Sequence, residues 1–287
     1  MNAVTTDAEE DVTSRATVPG AVSAGPVPAH TVSLNTDIGE GFGVWRTVDD
    51  EALLTHVTDA NLACGFHGGD PSIMRSICTA ARELGVTVGA HPGFRDLIGF
   101  GRRHVVMDPR ALRDDVLYQL GAVSSIATAE GTPISYVKVH GALYHSATTD
   151  RTYAQAVLSA LRAFDPSMPL MCQPGDVFAQ AADAGEITVI PEGYADRGYT
   201  PEGKLVPRGR PGDLITDPAV AGAQAVQMAT RGTVTAVDGT VLPLAVRSIC
   251  VHSDSPGAVE LAAGVRAGLV DAGVAVVPLP PRYPAGS

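Results

Sequence analysis

Seven short apolar runs of strand length recur along this 287-residue chain, with helix-like segments between them. They are Thr31–Thr36, Ala60–Cys64, Val86–Ala90, Ser135–Val139, Pro169–Cys172, Ile187–Pro191 and Ser248–Val251. Strand and helix in alternation select a parallel sheet joined by helical crossovers. Several runs also end in chemistry. The first leads into Asp37 and Glu40, set among Gly39, Gly41 and Gly43, and later ones lead to His67, His91, His140 and His252. Polar groups collected at one end of parallel strands are the pattern of a β/α barrel. A closed or nearly closed seven-stranded barrel is therefore expected. A doubly wound open sheet is the rival, which periodicity alone does not separate from it.

The local signals agree with this alternation. Asp70-Pro71, Asp108-Pro109 and Asp217-Pro218 each place a capping carboxylate before a proline. Such a pair starts helices, because the first turn has free N–H groups and proline lacks one that would be orphaned anyway. Gly85, Gly131, Gly185, Gly232 and Gly273 read as helix ends. The longest helix is expected over Pro109–Glu130. A last one, Pro256–Ala272, precedes an apolar tail, Val274–Leu279, able to add a strand. Two segments break the rhythm. Thr233–Val246 alternates around Asp238-Gly239 as a β-hairpin would, and Gly193–Thr216 reads as a long functional loop. Residues 1–30, rich in Ala, Thr, Ser, Pro and Val, read as a flexible leader, and 31–287 as a single barrel domain.

A formal net charge of −11 argues against a nucleic-acid backbone or an anionic membrane as partner, since both need clustered Lys and Arg. No apolar run approaches the length of a membrane span. The acidic start lacks the apolar core of a secretory signal, which makes the cytoplasm the default compartment. The four cysteines form no CxxC pair; Cys78, Cys172 and Cys250 read as buried inert thiols, while Cys64 is the exception, lying inside the Asn61–Asp70 motif, where a nucleophilic role is the less favoured reading.

Asp37 and Glu40 suit a general base, a metal ligand or a clamp for an amine; the plainer reading makes Asp37 a turn cap and Glu40 a solvated acid. His67 titrates near neutrality and suits proton transfer. Asp70, in the same motif as Asn61, serves equally well as an N-cap. His91 and His140 occupy matching positions after their strands, and Lys138 shares the face of His140. In a barrel that face is interior, where a lysine needs a partner such as Asp37 or Glu40. His252 and Asp254 repeat the pattern, and the long loop adds Asp196, Arg197 and Arg208. Gly99-Phe-Gly-Arg-Arg103 offers the paired Arg102 and Arg103 guanidiniums for an anion. The set includes donors for a divalent metal, but no H-x-x-x-H or H-E-x-x-H spacing occurs, so the metal question stays open. Gly198–Lys204 has the outline of a phosphate loop, but Leu205 replaces the required hydroxyl residue and Pro201 removes a donor.

Taken together, Leu34–Gly43, Asn61–Asp70, Gly89–Gly93, Gly99–Arg103, Val137–Tyr144, Tyr194–Arg197 and Val206–Arg208 resemble the LamB/YcsF family of 5-oxoprolinase A subunits, from Leu34 to about Val276. The chain departs from the family pattern at Val139, His145 and Ser253, none of which removes a titratable group. The resemblance implies an irregular seven-stranded β/α barrel of the glycoside hydrolase/deacetylase type. It also implies ATP-dependent hydrolysis of 5-oxoproline to glutamate, together with separate B and C subunits. On that reading Asp37 or Glu40 and His67 perform acid–base work, in one cluster with His91. Lys138, His140, Arg102 and Arg103 stabilise negative charge. Asn61, Asp70, Asp196, Arg197, Arg208, His252 and Asp254 hold substrate or phosphate. ATP is expected at a partner or a shared interface. The alternatives are a metal-dependent deacetylase or amidohydrolase acting alone, and a non-catalytic scaffold for the partner subunits.

Overall fold

The structure, a computed structural model, describes Met1 and residues 30–46, 48–185, 187–254 and 257–282. The proposed leader therefore lies almost wholly outside the described residues. The chain runs β1 (Thr31–Ile38), α1 (Asp50–Leu54), β2 (Asp59–Ala63), α2 (Pro71–Leu84), β3 (Thr87–His91), α3 (Pro109–Ala129), β4 (Val137–Lys138), α4 (Gly141–Thr149) and α5 (Arg151–Phe164). It continues through β5 (Leu170–Cys172), α6 (Val177–Asp183), β6 (Val189–Tyr194), α7 (Pro218–Arg231), β7 (Thr233–Thr235), β8 (Val241–Pro243), β9 (Ser248–Cys250), α8 (Ala258–Asp271) and β10 (Ala275–Val276).

All seven expected strands form and pair in parallel in the order β1-β2-β3-β4-β5-β6-β9, and β9 returns to β1 to close the barrel. The open-sheet alternative is thereby excluded. The expected hairpin is β7–β8, an antiparallel pair outside the barrel. The apolar tail forms β10, which pairs with the start of β1. Several boundaries move: β1 runs on to Ile38, β4 shortens to Val137–Lys138, and β6 starts at Val189 and continues past Pro191 to Tyr194. Proline usually argues against a central strand because it cannot donate. Here it sits where β6 passes from pairing with β5 to pairing with β9, and its carbonyl accepts from the Arg247 amide.

The strand period of two explains the barrel's unusual filling. On β1, Leu34 and Ile38 alternate with Ser33, Asn35 and Asp37, and all five are buried. Leu34 and Ile38 join the apolar clusters of the surrounding shell. The polar set faces the lumen, where Ser33 Oγ donates to Ser248 Oγ (2.7 Å) and Asn61 Nδ2 donates to both Asn35 Oδ1 (2.7 Å) and Asp37 Oδ1 (2.9 Å). The lumen is thus a hydrogen-bonded polar column inside an apolar shell. Gly89 makes room for it, since a Cβ there would lie 2.2 Å from the Tyr136 ring, whose hydroxyl donates to Asn61 Oδ1. An apolar plug of Tyr136, Met171, Ile190 and Leu279 closes the base.

Candidate active site

The C-terminal strand ends and the loops after them enclose a cavity of about 610 Å³. Of the expected site residues, Asp37, Glu40, His91, Arg102, Lys138, His140, Arg197, Arg208, His252 and Asp254 line it. They reach one place from far apart in sequence because parallel strands all end on the same side.

Lys138 forms the floor. Its ammonium lies 2.9 Å from Asp37 Oδ1 and 3.0 Å from Glu192 Oε1, and it also donates to Asn35 Oδ1 and Cys250 Sγ. Burial works against its charge, but Asp37 leads the groups that overcome burial and hold its pKa well above the ordinary lysine value. Burial likewise works to raise the Asp37 carboxyl, and the charges of His91 and Lys138 hold it well below the usual range instead. Lys138 is therefore a permanent cation facing the cavity, not a base.

Beside it stand three imidazoles and one carboxylate. Glu40 Oε1 lies 3.2 Å from His67 Nε2, 3.2 Å from His140 Nδ1 and 3.9 Å from His91 Nε2. His67 and His140 stack with ring centroids 3.8 Å apart. The outer nitrogens are spoken for: His91 Nδ1 donates to the Lys138 carbonyl (2.8 Å), and His140 Nε2 donates to the Phe100 carbonyl (2.7 Å). Gly101 permits the second contact, because a Cβ there would lie 2.7 Å from the His140 ring and φ is +62°. His67 is fully buried below the cavity surface, where burial and the neighbouring His140 push it down to about 3. It is neutral at physiological pH, and its Nδ1 has no partner among the described residues.

On the opposite wall His252 Nδ1 lies 2.9 Å from Asp196 Oδ2, and the His252 amide donates to the same carboxylate. The ring stacks on Tyr194, with centroids 5.5 Å apart. Asp196 is buried; burial works to raise it, and His252 heads the groups that hold it below the usual range. At the rim, Asp254 pairs with both Arg102 and Arg208. Arg197 is buried and donates to the backbone carbonyls of Asp213 (2.9 Å) and Val206 (2.7 Å).

The remaining expected residues lie off the cavity wall. Asn61 sits in the lumen beneath Asp37. Asp70 caps α2, accepting from the amides of Ser72 and Ile73, and also accepts from the Gly43 amide. Arg103 turns outward to Asp96. The Gly198–Lys204 segment is a loop with a Tyr199–Leu205 bridge rather than a strand-to-helix turn. Of the departures from the family pattern, His145 joins the wall and the Ser253 hydroxyl donates to Glu40 Oε2 (3.4 Å). Sequence reasoning gave no role to Glu192, Asn35, Tyr194 or Tyr144. Glu192 follows a strand-interior proline, and the tyrosines carry no charge near neutrality to single them out; polar alternation on β1 was the available signal for Asn35.

Known proteins bear on this site. A family model described as the LamB/YcsF family matches residues 32–283. The chain is 53% identical over 245 residues to the 5-oxoprolinase A subunit of Nocardia farcinica, covering 85% of this chain and 98% of that protein. It is 47% identical over 245 residues to the protein of the same description in Streptomyces coelicolor, with the same coverage. Among solved structures, the lactam utilization protein from Thermus thermophilus superposes with a TM-score of 0.83 at 43% identity, covering 87% of this chain and 100% of that one. With its whole barrel matched in both sequence and shape, this chain belongs to the LamB/YcsF family.

Proposed function

We propose that this chain is the A component of a 5-oxoprolinase, in which it binds 5-oxoproline and opens the ring to glutamate. The reading is carried by the identity of about half the residues, across nearly the full length of relatives described as 5-oxoprolinase A subunits. The site suits the task. 5-Oxoproline has a carboxylate and a lactam carbonyl, and the cavity presents Lys138 at its floor with Arg102 and Arg208 at its rim.

A five-membered lactam is a stable amide. In the scheme we favour, ATP supplies a phosphoryl group to the lactam oxygen, which makes the ring carbon electrophilic and provides a leaving group. Water then attacks that carbon and the C–N bond breaks as the nitrogen takes up a proton, which leaves an acyl phosphate. A second water hydrolyses the acyl phosphate to glutamate and phosphate, and the ADP formed in the first step completes the balance. His252, fixed by Asp196 through Nδ1, is placed to take the water's proton at Nε2. Lys138 faces the oxygen that gains negative charge. Arg102 and Arg208, aligned by Asp254, grip the carboxylate or the phosphoryl group. Asp37 and Glu40 set the charge of the floor, and His67 orients Glu40 from below. ATP is held by separate B and C subunits or at an interface with them, consistent with the lack of a strand-to-helix phosphate loop among the described residues.

The test is glutamate release from 5-oxoproline and ATP by the purified chain, alone and with B and C subunits. Activity only in the reconstituted mixture is expected. No release in any mixture would overturn the reading. Amide hydrolysis by the chain alone, without ATP, would instead support a lone amidohydrolase, and full activity of a His140→Ala complex would support a scaffold.

A further inference from the structure

We infer that Glu40, His91 and His140 form a three-ligand site for a divalent transition metal of the zinc class, open to the cavity on its fourth side. The protons on the two rings point to it first. A backbone carbonyl only accepts, so the His91 Nδ1 contact to Lys138 O and the His140 Nε2 contact to Phe100 O each require the proton on that outer nitrogen. In their neutral forms both rings therefore turn lone pairs inward. His91 Nε2 and His140 Nδ1 face each other at 3.1 Å, with Glu40 Oε1 3.2 Å from the second. With both rings neutral, their two inward lone pairs and Glu40 Oε1 converge with no donor from either ring between them, a gap suited to a cation.

The spacing fits a metal. Bonds of about 2.0–2.1 Å at tetrahedral angles place donor atoms about 3.3–3.4 Å apart. The three separations are 3.1, 3.2 and 3.9 Å. Two imidazoles and one carboxylate form a borderline donor set, suited to zinc and its neighbours rather than to magnesium or calcium. The Asp37 carboxylate lies nearer His91 Nε2 (3.5 Å) than Glu40 does (3.9 Å), but it already accepts from Lys138 and Asn61, so it is not counted as a ligand.

The surroundings have the form that fixes metal ligands. Each ligating ring gives its outer N–H to a backbone carbonyl, which sets tautomer and orientation. One of those carbonyls belongs to Phe100, whose φ of 55° makes it the one non-glycine residue with positive φ among the described residues. Strain of this kind persists where surrounding structure demands it, and here it aims the carbonyl at His140. His67 donates Nε2–H to Glu40 Oε1 from below and orients that carboxylate. Glu40, His91 and His140 line the cavity, whereas His67 does not, so the open position faces substrate. When bound there, the ion would polarise a carbonyl oxygen in the cavity; that role alone rests on the lactam reading.

The experiment needs neither partner subunits nor ATP, so its outcome is independent of the proposed reaction. The full chain is stripped with a chelator, then titrated with Zn²⁺ by calorimetry and with Co²⁺ by visible absorption. One ion per chain and the intense d–d bands of a four- or five-coordinate Co²⁺ site are expected from the wild type, which requires no variant to fold. Glu40→Gln and His140→Ala should each weaken Zn²⁺ binding by about 100-fold or more, while His56→Ala, remote from the cluster, leaves it unchanged. Absence of stoichiometric binding in the wild type would overturn the proposal and assign the gap to a proton shared by the two imidazoles. Equal binding by Glu40→Gln and the wild type would overturn it as well.

Discussion

At the base of the barrel the Asp59 carboxylate accepts from Thr58 Oγ1 (2.7 Å) and from the Leu279 amide (3.1 Å), while Thr87 Oγ1 donates to the Leu279 carbonyl (2.9 Å). At the mouth, Glu40 Oε1 faces three imidazoles, two of which direct their only free nitrogens at the same point. Both ends are buried and polar, but only the base is answered group for group. Buried polar atoms in folded chains nearly always find partners, so the end where neutral imidazoles turn acceptors toward one another is the one that the metal proposal addresses. The base uses polarity to join the C-terminal tail to the strands. The mouth keeps it in reserve for chemistry.

Lys138 tests this contrast most severely, because it links the lumen column to the mouth. Lys138→Met leaves Asp37 and Glu192 buried without their shared cation. Removing one member of such a pair costs about 3–5 kcal/mol, which thermal or urea unfolding will report. If the cation also stabilises negative charge in the reaction, glutamate release by the reconstituted enzyme falls by about 10³-fold. A variant that loses stability but keeps its rate would move Lys138 to the structural side of the comparison. His252→Gln probes the other wall. Glutamine retains a donor for Asp196 but is no base, so stability should hold while kcat falls by about 10²–10³-fold. An unchanged kcat would remove His252 from proton transfer.

How much of this contrast was legible in the sequence depends on which forces set it. The barrel was legible, because strand and helix periods alternate and Asp-Pro pairs mark helix starts at Asp70, Asp108 and Asp217. The gathering of Asp37, His91, Lys138 and His140 was legible too, since parallel strands must end together. Side-chain direction within loops was not. Arg102 and Arg103 are neighbours with the same chemistry, yet the turn at Gly101 sends one to Asp254 at the rim and the other outward to Asp96. His67 carries a motif but lies beneath the loop bearing Gly93 and Gly101, a tertiary contact that no local pattern records. Glu192 was hidden by Pro191, because the strand's change of partner there is a property of barrel closure.

The base yields a prediction in pH. Burial pushes the Asp59 carboxyl up to about 7, above its value of about 3.9 in an unfolded chain. Between those values the native state holds a proton that the unfolded state has lost, so stability falls as pH rises through the window and levels off above it. At about 1.36 kcal/mol per unit the full effect is ~4 kcal/mol. Asp59→Asn cannot ionise. Urea denaturation of the two proteins from pH 4 to 8 should give similar stabilities at the acid end and an advantage for the variant at pH 8, with activity unaltered. Parallel curves would show that Asp59 is not the group responsible.

Asp70 gives the smallest effect and draws the finest line between the two kinds of polarity, since it belongs to a motif that otherwise faces the site. Its Oδ1 accepts from the Ser72 and Ile73 amides at the start of α2, and its Oδ2 accepts from the Gly43 amide (2.9 Å) in the turn that follows Glu40. Every acceptor is thus used by backbone, as at the base. Asp70→Ala should cost about 1 kcal/mol of stability, the usual effect of a lost N-cap, and leave kcat and KM unchanged. Asp70→Asn separates cap from charge, because an amide oxygen still caps α2 while the negative charge is gone. If Asp70 is a cap, asparagine restores the stability that alanine loses and the enzyme turns over normally. If its charge serves substrate, the asparagine variant folds as well as the wild type and loses activity, and the answered end of the comparison then no longer stops at the base.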